Sequence, residues 1–216
     1  MQFGTRQLIR LAMVLPIIAL AACNATIGER MGNSLEVVRG FQASDHRIPS
    51  EVFANAKGVA ILRESSAALV VGGSGGEGVF MRKNGLNWSP PIAINTAGAT
   101  VGLQAGGQRR DIVIFMNTDA EVANFLDDGV YALAEASAVA GPAKTDPKNA
   151  GGPVPSTYYY IRSEGLFGGL LVGGVYFTVD TKVNRATYGE GATVGDILAG
   201  NVEKPQGATI LTQALD

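Results

Sequence analysis

The stretch VVGGSGGEGVF, residues 70–80, fits two unrelated enzyme signatures at once. Read from Gly73 to Gly78 it is G-x-G-x-x-G, a turn that cradles a dinucleotide pyrophosphate. Read from Gly72 to Gly76 it is G-x-S-x-G, with Ser74 as a hydrolase nucleophile. Both signatures need a helix directly after the glycines, in one case to face the phosphates with its N-terminus and in the other to lift the serine on a sharp turn. The chain instead continues from Gly78 as VFMRKNG, a β-branched and aromatic run closing on Asn84-Gly85, a strong hairpin turn pair. The glycines are therefore expected to lie between two antiparallel strands. There they permit positive φ and the close approach of a neighbouring strand or a ligand.

The chemistry around this stretch also argues against catalysis. His46 is the one histidine in the chain, and it precedes Ser74, whereas the base of a nucleophile elbow comes after its serine. One histidine and one cysteine remove the commonest metal constellations, and the carboxylates show no spaced cluster. The adjacent pair Asp127-Asp128 caps a helix end or solvates a turn, because neighbouring residues do not converge as a general acid and base must. No catalytic residue, metal site or cofactor is expected.

At 216 residues, with 46% hydrophobic and 17% charged residues, the composition is that of one globular domain. Its 29 glycines and 7% aromatics favour a β-rich architecture with many direction changes over a helical bundle. Residues 1–22 stand apart. Arg6 and Arg10 precede an apolar run over 11–20, and no acid occurs before Glu29. This is the pattern of a secretory leader, too short to span a bilayer. It ends in L-A-A-C, residues 20–23, which resembles the bacterial lipobox, so Cys23 is expected to become a lipidated N-terminus. A lone cysteine cannot form a disulfide within the chain, and the acyl chains usual in such lipoproteins exceed what stable anchoring needs. Asn24 is not the aspartate that retains lipoproteins at the inner membrane, so the expected location is the outer membrane, facing the periplasm. Without the leader the chain carries 15 basic and 19 acidic residues, a net charge of −4. With only two basic doublets, Arg82-Lys83 and Arg109-Arg110, each read as a solvated turn, nucleic acid is not an expected partner.

Along the remaining chain, residues 24–47 read as a tether plus a helix packed on the domain through Ile27, Met31, Leu35, Val38 and Phe41. The alternative is an amphipathic helix lying on lipid, for which Arg30 and Arg39 are few basic residues. Pro49 and Gly58 bracket a short helix over 49–57. Short strands are then expected at 59–62, 67–71, 78–82, 92–95, 101–104 and 111–117, antiparallel because their connections are too short for a crossover. Thr118 and Glu121 form a capping-box pair for a helix through Phe125. Strands resume at 129–140, 157–162 and 170–179, with the proline-rich stretch 141–155 as an exposed loop. Helical pieces at 181–188, 194–198 and 207–215 close the chain. The fold class is α+β, mainly β: an antiparallel sheet or barrel-like core with several short flanking helices.

The order of motifs resembles the SYLF domain family. It runs through IPSEVFANAKGVAIL, GGSGGEGVFMRKNG, NWSPP, AGATVGLQAGGQRRDIVIFMNT, AVAGP, YIRSEGLFGGLLVGG, NRATYG and DILAG. That resemblance implies one compact domain and non-enzymatic binding to membrane phospholipid, with phosphoinositides and actin as ligands of eukaryotic members. Neither phosphoinositides nor actin is expected in a bacterial periplasm. Two departures are visible: the basic amphipathic N-terminal segment is replaced by the lipobox and a nearly neutral stretch, and Gly141-Pro142 continues into Ala143-Lys144 where the family has an arginine.

The expected organisation is a signal peptide over 1–22, a lipidated tether and short helix over 23–47, and a SYLF-like domain over 48–216. Phosphate contacts are expected from Arg82, Lys83, Arg109 and Arg110 if their turns share an edge. Leu166 and Phe167 in GLFGG are either bilayer-dipping or core residues. The rival reading is a structural or protein-interaction module of the envelope that uses no lipid ligand.

Overall fold

The runs VAIL (59–62), VFM (79–81) and IVIFM (112–116) contain no polar residue, so any strand built from them has to bury both faces. In the computed structural model, which describes residues 25–45, 47–127, 130–135, 157–169 and 171–216, they lie in two very long strands. These are β1 (Gly58–Asn84) and β3 (Ile92–Met116), antiparallel from Gly58↔Met116 to Phe80↔Ile92. The expected leader over 1–22, Cys23, His46, Asp128 and the expected loop over 141–155 lie outside the described residues.

Strand alternation sorts β1 and β3 into two cores. Val59, Ile61, Val79, Met81, Val113 and Phe115 face one side; Ala60, Leu62, Phe80, Ile112, Ile114 and Met116 face the other. The first side is covered by α1 (Ile27–Gln42), α2 (Ser50–Asn55) and α6 (Ala208–Gln213). The second is covered by α3 (Asp119–Asp127) and α5 (Val194–Ala199). Phe53 meets Phe115 edge-on at 5.0 Å on one face, and Phe80 stacks on Phe125 at 5.2 Å on the other.

β3 is the central strand. Its far half, 104–116, pairs with β5 (Thr157–Gly169), and its near half, 94–101, pairs with β6 (Leu171–Val179). β6 in turn pairs with β4 (Val130–Glu135), and β2 (Asn87–Trp88) folds back on the end of β1. All these pairings are antiparallel, so the α+β, mainly β expectation holds. α4 (Thr181–Tyr188) comes directly after β6, with Asp180 capping it by accepting from the Val183 N–H.

Two expectations need correction. The strands foreseen at 59–62, 67–71 and 78–82 are one strand, as are those at 92–95, 101–104 and 111–117, so the glycines of 72–78 lie inside β1 and not between two strands. Likewise Arg109-Arg110 is no turn; the pair sits mid-β3, opposite Ser65 and Glu64. Glycine clusters break strands in solvent, but here neighbouring strands supply ladder partners, so the extended backbone continues through them.

The glycines have a different task. β1 comes back across itself, and the Lys83 N–H donates to the Lys57 carbonyl at 2.8 Å. At the crossing, a Cβ on Gly78 would overlap the Ile61 carbonyl oxygen and lie 2.8 Å from the Leu62 Cα. One on Gly76 would overlap the Arg63 carbonyl oxygen and lie 2.7 Å from the Glu64 Cα. No side chain fits between backbones this close. After Gly78 the chain stays extended to Asn84, then turns at Gly85, whose φ is 64°. Neither glycine signature therefore has the helix it needs.

α1 is capped by a full Thr26–Glu29 box and buries Ile27, Met31, Val37, Val38 and Phe41 against the sheet. Each such side chain contributes about 1.5–3 kcal/mol before the entropy of ordering the helix is counted. Its apolar face is thus committed to the domain, and the packed reading of residues 27–42 is the one observed.

Gly78→Ala is expected to destabilise the fold by about 3 kcal/mol through backbone overlap. Gly73→Ala, where the nearest atom would lie 4.0 Å away, should change stability by less than about 0.5 kcal/mol. Urea unfolding of the two variants measures the difference.

Candidate functional site

The hairpin Asn84↔Asn87 carries the end of β1 out beside α3, β6 and α5, and the space between them is a groove of about 590 Å³. Leu126, Val179, Val194, Leu198 and Ala199 give it apolar walls, and Gly195 leaves them low; Arg82, Asn84 and Asp127 supply its polar groups. The size suits a single small ligand or a headgroup. Asn84 is fixed there, its amide donating to the Leu198 carbonyl at 2.7 Å. Arg82 donates to Asp119 at 2.8 Å, with side chains 43% and 68% exposed. Such a surface pair is worth at most about 1 kcal/mol and an anion can replace it. Asp127, exposed at the C-terminal end of α3, stands where the helix already presents negative carbonyls.

Lys83 is used differently. Its ammonium donates to the Phe53 and Ala54 carbonyls, at 3.0 and 3.3 Å, beside the end of α2, and it lies 5.3 Å from the Trp88 ring centroid. Arg109 is half-exposed and pairs with Glu164 at 3.1 Å. Arg110 is buried against Glu64, itself fully buried, and Glu64 also accepts from Thr96 at 2.9 Å. Arg82 and Arg110 do not share an edge. Lys57 bonds back to Lys83, whereas Arg110 stands opposite Glu64, seven residues farther along β1, or roughly 20 Å of strand. β5 carries Leu166 and Phe167 opposite Gly107 and Gly106, with side chains outside the described residues.

Two further charged groups bind α1 to the sheet. Arg63, Asp111 and Arg162 form one row across β1, β3 and β5, with Asp111 accepting from Arg63 at 2.9 Å and from Arg162 at 2.5 Å. Above that row, Glu36 pairs with Arg63, and Arg162 lies 5.6 Å from the Phe41 ring centroid. At the other end of α1 the buried Arg30 donates to Asp180 at 2.7 Å, the Ile94 carbonyl at 2.8 Å and Asn95 at 2.9 Å. Burial pushes the Asp180 carboxyl up, but the Val183 N–H, the Asn95 amide and the Arg30 guanidinium outweigh it and hold it below its ordinary 3.8.

No nucleophile, base or metal cluster joins these groups among the described residues. Ser74 stands in β1 with its hydroxyl unpartnered and no helix behind it, and no cluster of three metal-ligating side chains occurs among the described residues. What the geometry offers is a trough with apolar walls and charged groups along it.

Comparison with known proteins agrees with a family of binding proteins. The family model described as "Las17-binding protein actin regulator" (Ysc84) matches residues 97–216. The chain is 33% identical over 180 residues to LAS seventeen-binding protein 3 of Saccharomyces cerevisiae, covering 80% of this chain and 39% of that one. The chain belongs to the Ysc84 (SYLF) family. It is also 34% identical over 179 residues to SH3 domain-containing YSC84-like protein 1 of Homo sapiens, covering 80% of this chain and 52% of that one. The chain thus spans about two-fifths to one-half of the length of these curated relatives. No solved structure matches it.

Of the expected residues whose side chains are described, the SYLF domain brings only Arg82 to the groove. Its apolar walls were missed because they come from α3, β6 and α5, whose contact with the hairpin has no local signature. Asp127, expected to cap a helix end or solvate a turn, also lines the groove.

Arg110→Gln should cost about 3–5 kcal/mol by leaving Glu64 buried without its cation. Arg109→Gln should stay within about 0.5 kcal/mol. Thermal unfolding separates them. Because the Asp180 carboxyl is lowered in the folded state, its contribution is full above the unfolded value and is lost as pH falls through 3.8 and below. Asp180→Asn should therefore unfold with a flatter pH dependence between about pH 5 and 2 than the parent in urea titrations.

Proposed function

We propose that this SYLF protein is a membrane-anchored, non-enzymatic phospholipid-binding lipoprotein of the bacterial envelope. The carrying observation is the apolar-walled groove with the replaceable Arg82–Asp119 pair beside it. An anionic phosphate gains a bidentate partner there, while hydrocarbon gains the walls. The L-A-A-C sequence supports an acyl anchor at Cys23, and with it an outer-membrane location facing the periplasm. Anchoring would supply residence at the bilayer, leaving Arg82 and the half-exposed Arg109 to set orientation, each worth roughly 1 kcal/mol near an anionic surface. Lys83 and Arg110 are engaged inside the fold and serve its structure. No cofactor is required.

A second reading, a protein-interaction module without a lipid ligand, is favoured by the names of the relatives, which describe Las17-binding and SH3-containing proteins. An envelope protein would then be the partner.

Vesicle flotation distinguishes the two. The chain from Ala25 onward, which lacks Cys23, should float with anionic phospholipid vesicles at low salt and release as salt rises. Indifference to all vesicles would decide for the protein-interaction module.

A further inference from the structure

Among the described residues, the groove carries one cationic and one anionic side chain on the same apolar trough. Resting on the lipid-binding reading, we infer that the groove seats a single phospholipid with a zwitterionic, primary-ammonium headgroup. The phosphate lies on Arg82, the ammonium on Asp127, and the first methylenes of the chains on Leu126, Val179, Val194 and Leu198.

Three observations support this assignment. Among the described residues the Arg82 guanidinium pairs with Asp119, an exposed side chain, so a phosphate that offers two oxygens to the guanidinium replaces a solvated pair with a charge-assisted fork. Asp127 is the last residue of α3, where the helix carbonyls add to its negative charge. That site attracts a cation twice over and repels a headgroup that brings only negative charge. The third observation is dimensional: a space of about 590 Å³ takes a headgroup with the beginnings of its chains and leaves the rest to the bilayer. Asn84, tied to Leu198 by its own amide, keeps β1 and α5 at a fixed spacing, so the trough is formed before the ligand arrives.

Such a groove differs from a simple basic patch in what it selects. A basic patch prefers the more negative lipid; a groove with an acid beside its arginine prefers the zwitterion.

The test uses the full chain, extracted in a nonionic detergent and incubated with equimolar dihexanoyl-phosphatidylethanolamine and dihexanoyl-phosphatidylglycerol. Native mass spectrometry then counts the adducts. The ethanolamine adduct should exceed the glycerol adduct by about fivefold or more. Arg82→Gln should lower both by about tenfold, and Asp127→Asn should bring their ratio to about one. Ala199→Trp, which fills the trough from an exposed position of α5, should remove both adducts while circular dichroism stays that of the parent. Arg39→Gln, on the exposed side of α1 and outside the groove, should change neither. A parent ratio near one, or a preference that survives Asp127→Asn, overturns the proposal. Flotation with anionic vesicles but no selective adduct overturns the groove assignment alone, whereas failure of both removes the lipid-binding reading with it.

Discussion

Gly76 and Gly78 lie against the backbone of residues 61–64, and this contact lets a 27-residue strand cross itself. Without it β1 and β3 would extend as a ribbon with two bare apolar faces, and a two-stranded ribbon is not stable in water. With it, the ends of β1 meet, the Lys57 carbonyl accepts from the Lys83 N–H, and the alternating side chains of both strands divide into two closed cores. The helices then have faces to cover. Glycine here is selected by distance between main chains, since neither position has a positive φ.

Charged groups fix how the N-terminal helix sits on that frame. Arg30 reaches from one end of α1 into Asp180, Asn95 and the Ile94 carbonyl, and the Arg63–Asp111–Arg162 row holds its other end through Glu36 and Phe41. Gly40 matters for the same reason as the crossing glycines: a Cβ there would overlap the Arg162 guanidinium. Apolar contact alone would let a helix with so mixed a surface slide, because hydrophobic burial has no direction. Paired charges with few solutions give it one register.

The placement of the cations also governs where positive charge is available at the surface among the described residues. Arg110, Lys83 and Arg30 are all engaged by structural partners, while other cations stay at the surface. Arg82 is one of them, and it stands where the hairpin, α3, β6 and α5 enclose apolar space. A small charged ligand needs that combination more than it needs high net charge. The formal net charge of −2 over the whole chain is compatible with it, since the charges at issue lie within one groove.

The helices were legible in the sequence because their signals are local. Thr118 with Glu121 and the apolar spacing of residues 27–41 each act within a few residues of the chain. So was the exclusion of the two glycine signatures, which turned on the residues directly after Gly78. Strand lengths were not legible, because a glycine cluster ends a strand or continues it according to whether a partner lies alongside. Nor was the burial of Arg110, whose carboxylate partner lies 46 residues away in sequence. Local capping, hydrophobic period and chain-breaking residues are set by neighbours in the chain. The crossing of β1, the split into two cores and the assembly of the groove depend on which distant backbones come within a few ångströms, and only the folded arrangement supplies that.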